Sequence, residues 1–241
     1  MKIKVLSFNI HKGFNWNNQK FTLHELKVFL KVINPDVVML QEIVGENTKH
    51  RSKYKEYPLS TQFEFLADTL WPHFSYGQNA VYDHGNHGNA ILCRYPIKYS
   101  HNVNLTLHSL EQRGLLHCVA DINDQPVNFL CTHLNLFHYH RVRQYRLVAD
   151  YIKRLDHEAV ILGGDFNDWN KHASTYFELE LGMKEVFKVK TGHYAQTFPC
   201  ALPFLTLDRM YTKNISIGNT QLYEGCCELS DHLPISCEFS L

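Results

Sequence analysis

The chain has 241 residues, 44% of them hydrophobic, with 15 Phe and 13 Tyr, enough to bury a sizeable core. Its 24 Lys and Arg balance 24 Asp and Glu, which argues against a general basic coat for nucleic acid and leaves a local grip on phosphate open. No apolar run approaches the roughly 20 residues that span a bilayer, so no transmembrane segment is expected.

In chain order, a first strand is predicted over Ile3–Ile10, entered directly from Met1-Lys2 with no signal peptide ahead of it, and Asn9 stands at its end. Thr22-Leu-His-Glu25 reads as a capping box for a helix that stops before Pro35, with Leu23, Leu26, Phe29, Leu30 and Ile33 on one face. A second strand, Asp36–Gln41, closes on Glu42. The following Gly45–Ser60 segment reads as a rim loop with Lys49, Arg51, Lys53 and Lys55 against Glu46 and Glu56. A solvated loop fits it slightly better than a track for a phosphate backbone or an anionic headgroup. Thr61–Leu70 gives a second helix, stopped by Pro72. The His-containing stretch Tyr82–His87 lacks a matched ligand set and reads as a loop before a strand at Asn89–Arg94.

Strands follow at Gly114–Asp121 and Val127–His133, then a helix over Tyr139–Leu155, on which Arg141, Arg143 and Arg146 are expected on a solvated face. Ala159–Gly163 is a strand leading into Asp165 and Asn167. Ser174–Leu181 is a short helix with Gly182 as its stop. His193–Pro203 reads as a stiff segment walling a pocket, and Leu207–Tyr211 and Ile235–Phe239 are the last strands. Residues 1–42 and 127–168 repeat the order strand, helix, strand, which predicts two packed sheets with helices outside. The seven cysteines show no zinc spacing. Cys226 and Cys227 adjoin, while Cys93, Cys118, Cys131 and Cys237 lie in apolar runs as buried thiols. With no leader, this points to a reducing, cytoplasmic compartment.

Asn9, Glu42, His133, Asp165, Asp208 and the Asp231-His232 pair all stand at ends of apolar strands. Asn and Asp cap turns readily, but Glu and His do not, so six such places are hard to assign to turns alone. These residues belong to a longer ordered set. It comprises Ser7-Phe-Asn9-Ile10, Gln41-Glu42, Gly88-Asn-Ala-Ile-Leu-Cys-Arg-Tyr-Pro-Ile97, Arg113-Gly114, Thr132-His133-Leu134, Gly163-Gly-Asp165-Phe-Asn167-Asp168, Leu207-Asp208-Arg-Met-Tyr211 and Ser230-Asp231-His232. Taken in this order, and over nearly the whole chain, the set resembles the endonuclease/exonuclease/phosphatase superfamily, most of all its small bacterial members. The resemblance implies an α/β fold, a four-layer α/β/β/α sandwich of two mixed sheets with helices outside (the DNase I-like fold), as one catalytic domain over 1–241. It also implies Mg²⁺-dependent hydrolysis of a phosphate ester, with Mn²⁺ able to substitute.

Roles then follow from the chemistry of each side chain. Mg²⁺ takes oxygen ligands, so Glu42 is the expected metal carboxylate, with Asn9 beside it and Asp231 near the metal from the other side. His232 is expected to serve as acid–base or charge-stabilising imidazole, oriented by Asp208. Asp165 would position and deprotonate the attacking water, by placement more than basicity, because a neighbouring cation depresses a carboxylate's pKa. Asn167 would donate to the phosphate, His133 and Arg113 would neutralise its developing charge, and Asn89 would support them. A serine-hydrolase reading of Ser230, Asp231 and His232 fails because strand neighbours point to opposite faces. The retained carboxylates and imidazoles also argue against a catalytically dead binding protein. A nucleic-acid phosphodiester is favoured as substrate, with a phospholipid headgroup or inositol phosphate as the alternative, and no obligate protein partner is inferred.

Overall fold

The computed structural model describes residues 1–155 and 158–241. Two six-stranded mixed sheets pack face to face. The first holds β1 (Lys2–Asn9), β2 (Val37–Asn47), β3 (His73–Tyr82), β4 (Gly85–Cys93), β11 (Ser216–Leu222) and β12 (Ile235–Ser240), in the order β11-β12-β1-β2-β4-β3. The second holds β5 (Ile97–Asn104), β6 (Gly114–Ile122), β7 (Gln125–His133), β8 (Ala159–Asp165), β9 (Lys184–Glu185) and β10 (Asp208–Lys213), in the order β5-β6-β7-β8-β10-β9. Helices α1 (Leu23–Ile33), α2 (Thr48–Lys53) and α3 (Gln62–Ala67) belong to the first half of the chain. Helices α4 (His138–Lys153), α5 (His172–Leu181) and α6 (Val186–Thr191) belong to the second. The expected four-layer sandwich is therefore present.

The central strands are apolar on both faces because both faces are covered. In β1, Ile3 and Val5 point between the sheets, where they join Met39, Phe129, Ile161 and Met210. Leu6 and Phe8 point outward to Leu26 and Leu30 of α1 and to the buried Trp71. On the far side, Leu130 and Leu162 meet Tyr145, Val148 and Ile152 of α4 and Phe177 of α5. The pairs β1/β2 and β7/β8 run parallel, each joined by a helix, as the repeated order of elements predicts. All of these strands carry their C-terminal ends to the same rim.

The four strands with no apolar run to betray them, β3, β5, β9 and β11, are the four sheet edges. Their side chains are mostly half-buried or exposed, so backbone pairing and not an apolar stripe makes them strands. The Gly45–Ser60 segment is not a loop throughout: its first residues finish β2 and Thr48–Lys53 coils into α2. Tyr82–His87 is the tip of the β3–β4 hairpin. Thr22 forms no capping box; its Oγ donates to the carbonyls of Gly13 and Leu229 at 3.3 and 3.2 Å, which ties the start of α1 to the rim. A complete box stands instead at Thr61 and Glu64, at the start of α3. Arg141 is fully buried and not on a solvated face, its guanidinium bonded to the Asn135 and Leu136 carbonyls and lying 4.6 Å from the Trp169 ring. Cys200 and Cys227 are joined in a disulfide across 27 residues, which corrects the expectation of reduced thiols throughout. Cys93, Cys118, Cys131, Cys226 and Cys237 are free and buried. Among the described residues no helix is long and apolar enough to cross a membrane.

Candidate active site

Register brings the polar strand ends together. Asp165 pairs laterally with His133 on one side and with Asp208 on the other, so the tips of β7, β8 and β10 stand in one row. Asn9 and Gln41 pair at the tips of β1 and β2 in the opposite sheet. The two rows meet at the Asp165 Oδ2, which lies 3.1 Å from Asn9 Nδ2, 3.4 Å from His133 Nε2 and 3.7 Å from His232 Nε2. Its Oδ1 accepts the Asn167 backbone N–H at 2.9 Å, where Asn167 turns the chain at φ 49°.

Glu42 does not close β2, because the strand continues to Asn47. The register against β4 slips between Leu40 and Ile43, and Glu42 sits in that bulge at φ 55°. A bulge re-aims one side chain out of the alternation, and here it points the carboxylate toward Asn9, whose Nδ2 is 3.4 Å away. Lys12 Nζ reaches Glu42 from the other side at 3.4 Å. Lys12 follows His11, and both hold positive φ in a short 3-10 turn after β1. Neither was singled out as a site residue from the sequence. Their only local signal is position, directly after the polar residue that ends β1. His11 Nδ1 lies 3.5 Å from Asp231 Oδ1, so Asp231 faces the His11 side of the mouth and not the Asp165 cluster.

His232 Nδ1 and Asp208 Oδ2 are 2.8 Å apart, the orienting contact expected from the sequence. The Phe198 ring packs 4.8 Å from the His232 ring, and Thr197 Oγ accepts the Asp208 N–H, so the His193–Pro203 segment walls the site as expected. Ser230 is structural: its Oγ donates to the Asn9 carbonyl at 2.7 Å and accepts the His232 N–H. Two expected phosphate contacts are altered. Asn89 uses its amide N–H groups on the Gly114 and Cys131 carbonyls and stitches the sheets together, so it offers no donor to a phosphate. Asn167 commits one amide N–H to the Leu134 carbonyl, which leaves the other. Arg113 is mostly buried, its Nη2 3.7 Å from Glu111 and its Nε without a partner. It borders a cleft of about 370 Å³ lined by Gln78, Asn79, Asn102, Asn104, Thr106 and Gln112.

Burial sets the protonation landscape. It pushes the Asp165 carboxyl up to about 6, helped by the Asp208 charge and opposed by His232; the depressed value expected beside a cation does not arise from the protein's own groups. Burial disfavours the His232 imidazolium, but Asp208 and Asp165 outweigh it and carry its pKa up to about 10. His133 is driven well below the ordinary histidine value by burial and the Arg113 guanidinium. Burial alone would raise Glu42, yet the charges of His133, Lys12 and His11 hold it below the usual carboxylate range. Among them Lys12 is the permanent cation.

The donor set fits a hard divalent cation at Glu42. It is an ionised, mostly buried carboxylate with a carboxamide beside it, and an ammonium group already neutralises its open side. Asp165, Asp208 and His232 also bring ligand atoms within 4.8 Å of one another. Their short Asp208–His232 hydrogen bond suits an oriented imidazole better than a second metal.

The comparisons with known proteins agree with this architecture. Residues 6–232 match the model of the Endonuclease/Exonuclease/phosphatase family. The protein named "Uncharacterized protein YbhP" from Escherichia coli (strain K12) is 40% identical over 243 residues, covering 99% of this chain and 96% of its own. Similar solved structures include an endonuclease/exonuclease/phosphatase from Beutenbergia cavernae DSM 12333 (17% identity, TM-score 0.79, 100% of this chain and 72% of that one). Another is D. rerio TDP2 complexed with single strand DNA product (20%, 0.76, 100% and 99%). A third is the human Nocturnin catalytic domain with bound sulfate anion (17%, 0.75, 99% and 94%). At these identities the structures carry the fold alone, while the family match spans nearly the whole chain. The protein therefore belongs to the endonuclease/exonuclease/phosphatase family, whose members are hydrolases of phosphoester bonds.

Proposed function

We propose that the protein hydrolyses a phosphate ester by attack of an activated water, with Mg²⁺ as cofactor and Mn²⁺ as a working substitute. The observation that carries this reading is the Asp165 carboxylate, held 3.4 Å from His133 Nε2 and 3.7 Å from His232 Nε2, the latter ring oriented by Asp208 at 2.8 Å. Glu42, with Asn9 and Asp231, would hold the cation, which when bound supplies Lewis-acid neutralisation of phosphate charge. Asp165, with its pKa near 6, is suited to take the proton of the attacking water. The His232 imidazolium is suited to stabilise a phosphoryl oxygen or to protonate the leaving oxygen. Arg113, His133 and the remaining Asn167 N–H would receive the phosphoryl oxygens. No side chain needs to form a covalent intermediate.

The test is cleavage of bis(p-nitrophenyl) phosphate with Mg²⁺. Glu42→Ala and His232→Ala are each expected to abolish it while keeping the native circular dichroism spectrum, and EDTA to stop the native protein until Mg²⁺ or Mn²⁺ is restored. Full activity in either variant, or in excess chelator, would overturn the assignment. A nucleic-acid phosphodiester is the substrate favoured by the motifs, and TDP2, with its single-strand DNA product, shares the fold. A phospholipid headgroup is favoured by a different observation, the apolar side chains around the mouth. A panel of single-stranded DNA, RNA, phosphoinositide and sphingomyelin separates the two. The reducing, cytoplasmic location read from the cysteines sits poorly with the Cys200–Cys227 pairing.

A further inference from the structure

The exposed apolar side chains are unevenly distributed. Leu59, Leu110, Leu136, Phe137, Leu202 and Phe204 are between 51% and 87% exposed. Each lies in a connection at the rim where Asn9, Asp165 and Asp208 stand: after β2, between β5 and β6, between β7 and α4, or ahead of β10. Among the described residues, the connections at the opposite end of the sheets carry no exposed Leu, Phe or Trp. Large apolar groups in water cost free energy unless something covers them. Here they ring a polar site, and do not form one flat patch.

We propose that this mouth docks on an anionic phospholipid surface. Three features select that partner. Leu59, Leu110, Leu136 and Leu202 have no π-face to stack on a base and profit only from leaving water, and the exposed rim aromatics Trp16 and Trp169 are of the kind that sits at a lipid–water boundary. The same rim carries exposed Lys49, Arg51 and Lys53 on α2 and Lys55 beyond it, next to Leu59, an excess of two positive charges over Glu46 and Glu56 that complements anionic headgroups. A ring of apolar tips around an open site suits an extended interface that leaves the centre polar, whereas a globular protein partner seated there would plug it. The docking rests on the rim and not on the hydrolytic reading, although a bilayer so placed would bring headgroup phosphates to Glu42 and His232.

The test is co-sedimentation of the full chain with vesicles of phosphatidylcholine alone and of an equimolar mixture with phosphatidylglycerol. Binding is expected to the mixed vesicles and to weaken with salt. Leu136→Ser, Phe137→Ser and Phe204→Ser combined should lower it by about tenfold or more, since binding scales with the apolar area inserted. All three side chains are exposed, so the fold and bis(p-nitrophenyl) phosphate turnover should be unchanged. A second variant, Lys49→Gln with Lys53→Gln, should bind more weakly and with a shallower salt dependence. Native protein left in the supernatant, or vesicle binding indifferent to the apolar substitutions, would overturn the proposal. Tight single-stranded DNA binding lost in the triple variant, with no vesicle binding, would assign the rim to nucleic acid instead. Because vesicle binding is read without catalysis, its failure and a failure of the hydrolytic reading are separate results.

Discussion

Asp165 Oδ2 receives polar atoms from Asn9, His133 and His232, which come from three distant stretches of the chain. Its own partner residues divide into those that would meet substrate and those that hold others in place. Asp208 is of the second kind, because it touches His232 Nδ1 and leaves Nε2 facing Asp165. Asp208→Ala should lower turnover of bis(p-nitrophenyl) phosphate by about 10–100-fold with KM little changed. Turnover within about twofold of the native rate would remove Asp208 from that role. Far from the site, Glu185 is buried at the start of α6, where it accepts the Lys188 N–H. Burial pushes its carboxyl up from 4.5 to about 7. The unfolded chain therefore releases this proton first as pH rises, and the native state loses stability across roughly pH 4.5 to 7, by about 3 kcal/mol. Glu185→Gln should remove that loss, read as urea midpoints of the two proteins that diverge from pH 4 to pH 8. Parallel midpoints would refute it.

At the level of elements, the second sheet is locked to the loop after β8 by Arg209. Its guanidinium contacts the Asp168 carboxylate at 3.1 Å and the Asp168 carbonyl, with neither side chain exposed. Asp168→Ala leaves that charge buried and alone, so a destabilisation of roughly 3–5 kcal/mol is expected in chemical denaturation. The Cys200–Cys227 pair ties the segment carrying Phe198 to the loop that leads to Asp231. Unfolded without reductant, the protein should titrate five thiols, rising to seven after reduction; seven at the outset would mean the pair is open. The pairing was not legible, because Cys200 and Cys227 stand in irregular connections 27 residues apart and their approach depends on how the rim folds. The central strands were legible because burial on both faces demands unbroken apolar runs. The edges were not, since β3, β5 and β11 are stabilised by a neighbour's backbone and can carry polar side chains.

For the whole molecule, the face between the sheets is a shared core, filled by residues of both halves such as Met39, Phe129 and Met210. Read as one domain, the chain should unfold in a single transition seen alike by circular dichroism and by the buried Trp71. Two separated transitions would divide it. Of the candidate site, Asn9, Glu42, His133, Asp165, Asp208 and His232 were legible in the sequence because polar residues that interrupt or flank apolar runs break a strong pattern. His11 and Lys12 were not, because a turn with positive φ folds them back onto Glu42 and Asp231 from what reads as an ordinary loop.

The sequence by itself determined the layered α/β architecture, the family and most of the side chains at the rim, because these follow from apolar periodicity and from motifs carried in a set order. Only the tertiary structure decided which of them touch. The β7–β8–β10 register, the bulge that turns Glu42, the contact of Asp208 with His232 and the commitment of Asn89 to backbone carbonyls all depend on contacts between residues far apart in the chain. The apolar ring around the mouth was likewise beyond the sequence. An exposed leucine and a buried one are the same letter until the loops are placed.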